Sequence, residues 1–424
     1  MEYLLFAAYL ISFAWLVTKV KFFTRSGLSQ SQLIILFLVK IMAGIFYGWI
    51  GIYYAGLAQM LDTWSFHTNS IEEYKLLFNN PHEYLTNLFN NPYGNIDNPL
   101  YWNDLKGNAF IKMLSIFNIL SFGNYYINVV FYSFFSLFGP IAIYRVMTDV
   151  LPGKKLPILL ATFLIPSFLY WTSGIHKEGL IFTGISLIIY AVYFGLKEKR
   201  FGFKRITCVI VGLLLLLTLR NFLIVIIVPA IIAWVLAAKK PKYSLAIFGS
   251  LYLIFIVLFF TARYVNPRFD FPQAVVNKQQ EFINLKGGST IPMKELKPNA
   301  ISFLQSTPQA FTLSTIRPYP NDVKHILSLA AALEINALLL LFILFLFFHK
   351  NGIASRNFLH FCLFFSFTVL LAIGFSVNNL GAIVRYRSVI LPFLVIPMIA
   401  LTDWKRFGRL FINNIKKNNN IFIF

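Results

Sequence analysis

Apolar residues run along this chain in long uninterrupted blocks separated by short polar stretches, not in strand-like alternation. Eleven blocks approach the roughly 20 residues that a helix needs to cross a bilayer: 3–20, 33–54, 125–146, 156–172, 180–196, 206–219, 223–238, 244–262, 327–348, 358–375 and 389–402. Blocks 206–219 and 223–238 flank Arg220-Asn221 and also read as one bent helical hairpin. Glu2 precedes the first block, and its positive charges, Lys19 and Lys21, follow it. A secretory signal has the reverse order, so this block reads as a span. The pattern predicts an all-α, polytopic integral membrane protein, a single membrane domain over 1–424 with about eleven transmembrane helices.

Composition agrees. The 424 residues are 58% hydrophobic, 18% aromatic and only 12% charged, with a mean hydropathy of +0.69. Ordinary soluble domains are about 45–50% apolar and about 25% charged. So large an apolar excess cannot fit inside one core, and it excludes soluble multidomain, disordered, disulfide-scaffold and coiled-coil readings. Cys208 and Cys362 lie inside apolar blocks and read as small buried hydrophobes.

The net charge of +21 would suit a nucleic-acid partner if it were not segregated. With 21–32 placed in the cytoplasm and the spans alternating, the cytoplasmic segments hold 21 of the 37 Lys and Arg but only three of the 16 acids, Asp149, Glu198 and Asp403. They therefore carry +18 of the +21, as the positive-inside rule requires, and no nucleic acid is needed. This puts the N-terminus outside and the C-terminus inside. Two long segments, 55–124 and 263–326, then lie outside, with most of the acids. In the first, Ile71, Tyr74, Leu77 and Phe78, then Tyr84, Leu85, Leu88 and Phe89, have helical spacing, and short membrane-parallel helices are expected there.

Three outer features could carry chemistry. Asp62 stands just beyond a span, where partial desolvation would raise its pKa and suit it to proton abstraction. As a helix cap or solvated acid it would do neither. The short turn Ser173-Gly174-Ile175-His176-Lys177-Glu178 holds three ionisable groups close to the membrane, where they are expensive. An interfacial Lys177–Glu178 pair is the plain alternative, and His176 alone reads as a satisfied interfacial residue. Arg385 and Arg387 lie outside, against the positive-inside bias, and guanidinium groups bind phosphate through a planar fork. Two residues apart, they need not point the same way, so one of them is expected to meet a ligand. Arg220 and Arg317 are further outward arginines, and the four together point to an anionic ligand arriving through the lipid. The chain has no Walker A loop, dinucleotide fingerprint, HExxH signature or nucleophile elbow.

At Asp62-Thr63-Trp64-Ser65-Phe66-His67, Gly123 to Asn128, Trp171-Thr172-Ser173-Gly174 with Lys177-Glu178, and Arg385-Tyr386-Arg387, the chain resembles the GT-C superfamily of multi-spanning glycosyltransferases. The resemblance covers most of 33–402. Many GT-C members pair two acids at the catalytic position, whereas Asp62 has no adjacent acid, and block 3–20 is an extra span. The bacterial O-antigen polymerases are similar in having a large late outer loop and outer arginines. The GT-C resemblance implies transfer of a sugar from a polyprenyl-phosphate-linked donor to a glycan, lipid or protein acceptor on the extracytoplasmic face of a bacterial cytoplasmic membrane. It implies catalytic roles for Asp62, as base, and Glu178. It implies that Arg385 or Arg387 holds the donor phosphate and that Lys177-Glu178 orients one substrate or a divalent metal; His67, Arg220 and Arg317 are further substrate-binding candidates. A secondary transporter is the alternative of a different class, with Lys40 and Glu334 as its intramembrane charges.

Overall fold

The computed structural model describes residues 2–54, 61–89, 101–285, 288–350 and 355–409. The tail with Lys416 and Lys417 and parts of both long loops lie outside these residues. The regular elements are helices, and β pairing among the described residues is confined to two isolated bridges, Thr290 with Asn379 and His349 with Thr402.

Among the described residues, seven helices are long and apolar enough to cross a membrane: Gln30–Tyr53, Tyr125–Val150, Lys177–Lys197, Phe222–Lys239, Pro241–Val265, Ile326–Phe348 and Arg356–Ser376. Two bent pairs, Lys155–Phe163 with Pro166–Ser173 and Leu380–Ser388 with Leu391–Leu401, raise the number to nine if each is one span. The expected eleven are therefore reached only as helical positions. Glu2–Val17 has 16 residues, about 24 Å at 1.5 Å per residue, short of a hydrocarbon core of about 30 Å. Phe203–Arg220 carries Lys204, Arg205 and Arg220 among its 18 residues.

Both bends have local causes. Pro166 opens its helix, and Ile165 before it is extended, as a residue preceding proline must be; the axes turn by 52°. The second bend, 62°, falls at Val389-Ile390, just ahead of Pro392. Arg385 and Arg387 therefore sit on a helix, not in the turn the blocks suggest.

Tyr125–Val150 and Lys177–Lys197 form the centre, each 83% buried, whereas Pro241–Val265 is 6% buried and Ile326–Phe348 17%. The outer pair present Leu253, Ile254, Ile256, Leu333 and Leu340 outward, a surface compatible with helices that face lipid. Contacts join the helix ends that strict up-and-down alternation places together. At one end Lys197 Nζ lies 2.7 Å from Asp149, Lys350 is 3.0 Å from Asp403, and Asn357 Nδ2 donates to Ala237 O at 3.1 Å. The opposite end gathers the residues described below.

The long loops are more structured than their spacing suggests. In place of a short helix near 71–78 there is a 19-residue helix, Leu61–Asn79, which packs on Tyr101–Ser121. A buried Lys112–Glu73 pair ties them, and Lys112 also donates to Tyr84 O at 2.5 Å. The loop 263–326 contains Phe271–Asn284 and Ala300–Thr315. Cys362 is buried and Cys208 half-buried, both free.

Candidate functional site at one end of the bundle

Pro166–Ser173 is a short helix whose two ends are held by charges of the sign its dipole favours. At its N-terminus, the Glu334 carboxylate accepts from the Ser167 backbone N–H and hydroxyl, both at 2.6 Å. At its C-terminus, buried Lys40 donates to Thr172 O at 2.6 Å and lies 3.4 Å from the Ser173 hydroxyl. A helix interrupted inside a membrane must satisfy its freed N–H and C=O groups, and these residues do so. The intramembrane charges that made a transporter worth considering are thus consumed as helix caps. Each such contact is worth up to about 2 kcal/mol in a partly buried setting. Lys40→Met and Glu334→Leu are each expected to lower the thermal stability of purified protein. Unchanged melting in both would show that the helix is held by other contacts.

The clamped helix runs directly into Gly174-Ile175-His176. A side chain at Gly174 would collide with the Tyr47 ring, and one at Gly44 would meet Ser173 O at 2.5 Å, so the turn lies tight against Gln30–Tyr53. His176 is the extended N-cap residue of Lys177–Lys197, and its carbonyl accepts from Tyr132 Oη. Glu178 follows in the first turn, an acid where the dipole favours one.

Four segments distant in sequence meet here. His176 Nδ1 bonds Glu178 Oε2, and Glu178 Oε1 accepts from Arg220 at 2.7 Å. Arg385 Nη1 donates to Asp62 Oδ2 at 2.7 Å and to His176 Nε2 at 3.1 Å, while Asp62 Oδ2 is 3.5 Å from Nε2. Arg385 Nε lies 3.6 Å from Glu178 Oε1. Glu178 is fully buried and His176 nearly so, whereas the Asp62 side chain is 48% exposed, so the cluster opens outward at Asp62. Tyr386 stacks under Arg220 at 4.1 Å, and the Lys177 ammonium lies 4.8 Å from the Phe66 ring centre. Three cations, Lys177, Arg220 and Arg385, face two carboxylates. Tyr47 Oη and Arg385 Nε are buried with no hydrogen-bond partner among the described residues, although Nε keeps its 3.6 Å ion-pair contact with Glu178.

Asp62, Lys177, Glu178, Arg220 and Arg385 are thus neighbours, and three expected site residues are not. Arg387 is buried and donates to the carbonyls of Ser314 and Arg317. Two residues beyond Arg385, it lies about 200° around the helix, on the opposite face. Arg317 pairs with Asp322 at 3.1 Å. His67 is buried against Trp64 and Tyr125. Burial pushes its imidazole down to about 4, only partly offset by a bond to the Gly123 backbone, so it is neutral at physiological pH.

Asp62 also behaves differently from the raised carboxylate expected of a membrane-edge acid. Burial alone would lift its pKa, but the His176 contact and the Arg385 charge outweigh it and hold the group well below the usual carboxylate range. Its place in the first turn of Leu61–Asn79 matches the helix-end alternative. His176, read from sequence as a bystander, is the hub. Among the described residues no group of three His, Cys, Asp or Glu is arranged to hold a metal. The donor chemistry suits a cation poorly as well, because both carboxylates are already bound by guanidinium groups.

No family model, curated protein or solved structure matches this chain.

Proposed function

We propose that this chain is a membrane glycosyltransferase that moves a sugar from a polyprenyl-phosphate-linked donor to a glycan, lipid or protein acceptor on the extracytoplasmic face of a bacterial cytoplasmic membrane. One observation carries the reading: Arg220 and Arg385, a His176–Glu178 pair and half-exposed Asp62 converge from four segments at a single end of the bundle. Guanidinium groups suit phosphate, and no nucleotide is required for a donor whose leaving group is a lipid phosphate. Arg385, with Arg220 behind it, stabilises the charge that develops on that phosphate as the bond to the sugar breaks. The carboxylates keep the arginines in place and hold the imidazole. The end caps formed by Lys40 and Glu334 leave a transporter without its ionisable midplane site.

In this reading the chain spans the membrane eleven times, with Glu2–Val17 and Phe203–Arg220 as short spans and each bent pair as one. The N-terminus is outside, the C-terminus inside, and Leu61–Asn79 lies along the outer surface. A cysteine at exposed Lys297, in a chain lacking Cys208 and Cys362, is expected to react with an impermeant reagent in intact cells, and one at Gly202 is not. Labelling at Gly202 would invert the orientation. For the activity itself, deletion of the gene is expected to leave a lipid-linked sugar unconsumed and one surface glycan, glycolipid or glycoprotein lacking a residue. Unchanged lipid-linked sugars and unchanged surface conjugates would contradict it.

A further inference from the structure

We propose that His176 is the catalytic residue that takes the acceptor's proton, with Glu178 holding the imidazole and Asp62 acting only to position it. This rests on the glycosyl-transfer reading above and assigns its proton acceptor.

The argument begins with the hydrogen bonds. A guanidinium has no acceptor, so a hydrogen bond across the 3.1 Å contact from Arg385 Nη1 to His176 Nε2 needs a lone pair on Nε2; the 3.5 Å contact to Asp62 Oδ2 would need a proton there instead, and the shorter contact favours the lone pair. The imidazole proton is then on Nδ1, directed at Glu178 Oε2. Glu178 cannot turn away, because its other oxygen is held by Arg220 at 2.7 Å and the side chain is fully buried. A buried carboxylate fixing one imidazole nitrogen, while the other meets Arg385 beside half-exposed Asp62, resembles the arrangement that prepares a histidine for general-base work. Asp62 is a poor base by comparison, since the Arg385 guanidinium stabilises its anion through a 2.7 Å hydrogen bond.

The step balances. The acceptor hydroxyl oxygen bonds to the anomeric carbon, the bond from that carbon to the phosphate oxygen breaks, and its electron pair leaves on the polyprenyl phosphate. The hydroxyl proton passes to Nε2. The donor phosphate competes with Nε2 and Asp62 for Arg385 and so frees the lone pair. The imidazolium then lies between Glu178 and Asp62, whose Oδ2 is already 3.5 Å from Nε2. The charged or titratable groups around the ring are Asp62, Glu178, Arg385, Tyr47, whose ring centre is 6.3 Å away, and Tyr132 at the backbone carbonyl. Phe66 and Trp171 complete its walls at 5.9 and 6.2 Å.

The test has two arms. In the first, the pH profile of transfer from a polyprenyl-phosphate sugar is measured for wild type, Asp62→Asn and His176→Gln, normalised to folded protein. The acidic limb is expected to persist in Asp62→Asn and to vanish in His176→Gln, whose rate falls by about 10²–10⁴-fold. A limb that persists in His176→Gln, or vanishes in Asp62→Asn, overturns the proposal. In the second arm, ¹⁵N spectra of histidine-labelled wild type at neutral pH are compared with His176→Gln to isolate the His176 signals. The proton is expected on Nδ1, and finding it on Nε2 overturns the proposal whether or not any variant is active. If His176→Gln does not fold, the Asp62→Asn profile still decides. Wild-type protein that transfers nothing from this donor removes the glycosyl-transfer reading, and the proposed role for His176 with it. Transfer with the proton on Nε2 removes the role alone.

Discussion

Arg385→Ala is expected to abolish most transfer while leaving a folded protein. This guanidinium contacts Asp62, His176 and Glu178 together and is 16% exposed, so it faces the opening. Removing a single donor aimed at developing charge costs about 10²–10³-fold in turnover. Donor binding should weaken as well, because the phosphate is present before reaction. Arg385→Lys should rescue poorly, since an ammonium is a point charge without the planar fork that reaches Asp62 and His176 from one nitrogen while Nε approaches Glu178. Steady-state transfer, normalised to monodisperse protein, checks both variants. Full rescue by lysine would mean that only the charge matters.

Glu178→Ala should have the largest effect on stability. It leaves Arg220 without its 2.7 Å partner and His176 Nδ1 without an acceptor, all next to a fully buried position. Breaking a buried ion pair from one side typically costs about 3–5 kcal/mol. Glu178→Gln should cost less, because its amide oxygen can still accept from Arg220. Its NH₂ group, however, would face Nδ1 and favour an imidazole with the proton on Nε2, so transfer should fall although the protein survives. Thermal unfolding and transfer, measured side by side, separate the two variants. Equal melting of wild type and Glu178→Ala would show that Glu178 is not the keystone described here.

Much of the fold was legible because apolar block length is a local property. Each of the eleven blocks falls on helix. Length and composition pass seven to nine helices as spans among the described residues, and the blocks that fall outside the simple criterion have local causes: Pro166 and Pro392 mark bent pairs, and three charges mark Phe203–Arg220 as atypical. The helices of 55–124 and 263–326 were under-read because their apolar faces are completed by tertiary partners, as Leu61–Asn79 is by Tyr101–Ser121. For the site, residue type and distance from the span ends named Asp62, Glu178, Lys177, Arg220 and Arg385 as candidates, and the fold brings these five together. The divergence of Arg385 from Arg387 follows from helical geometry once both are known to be on a helix. What spacing could not show was pairing across long separations. Asp62 and Arg385 are 323 positions apart, and their contact is what reverses the direction of the Asp62 pKa. His176 was passed over for the same reason, since its importance comes from partners at 62 and 385. Lys40 and Glu334 stood as the intramembrane charges of the transporter alternative because nothing local shows that each ends the same short helix.

The most direct test is equilibrium binding of a polyprenyl-phosphate-linked sugar to the full-length protein in lipid nanodiscs. Wild type is compared with Arg385→Ala, Arg220→Ala and a control at exposed Lys297, Lys297→Ala. Charge-assisted hydrogen bonds are worth about 1.5–3 kcal/mol, so each arginine variant should bind the donor at least about tenfold more weakly, and the control should match wild type. Absence of saturable binding in wild type, or equal affinity in all four proteins, would contradict the assignment of this cluster as the donor site.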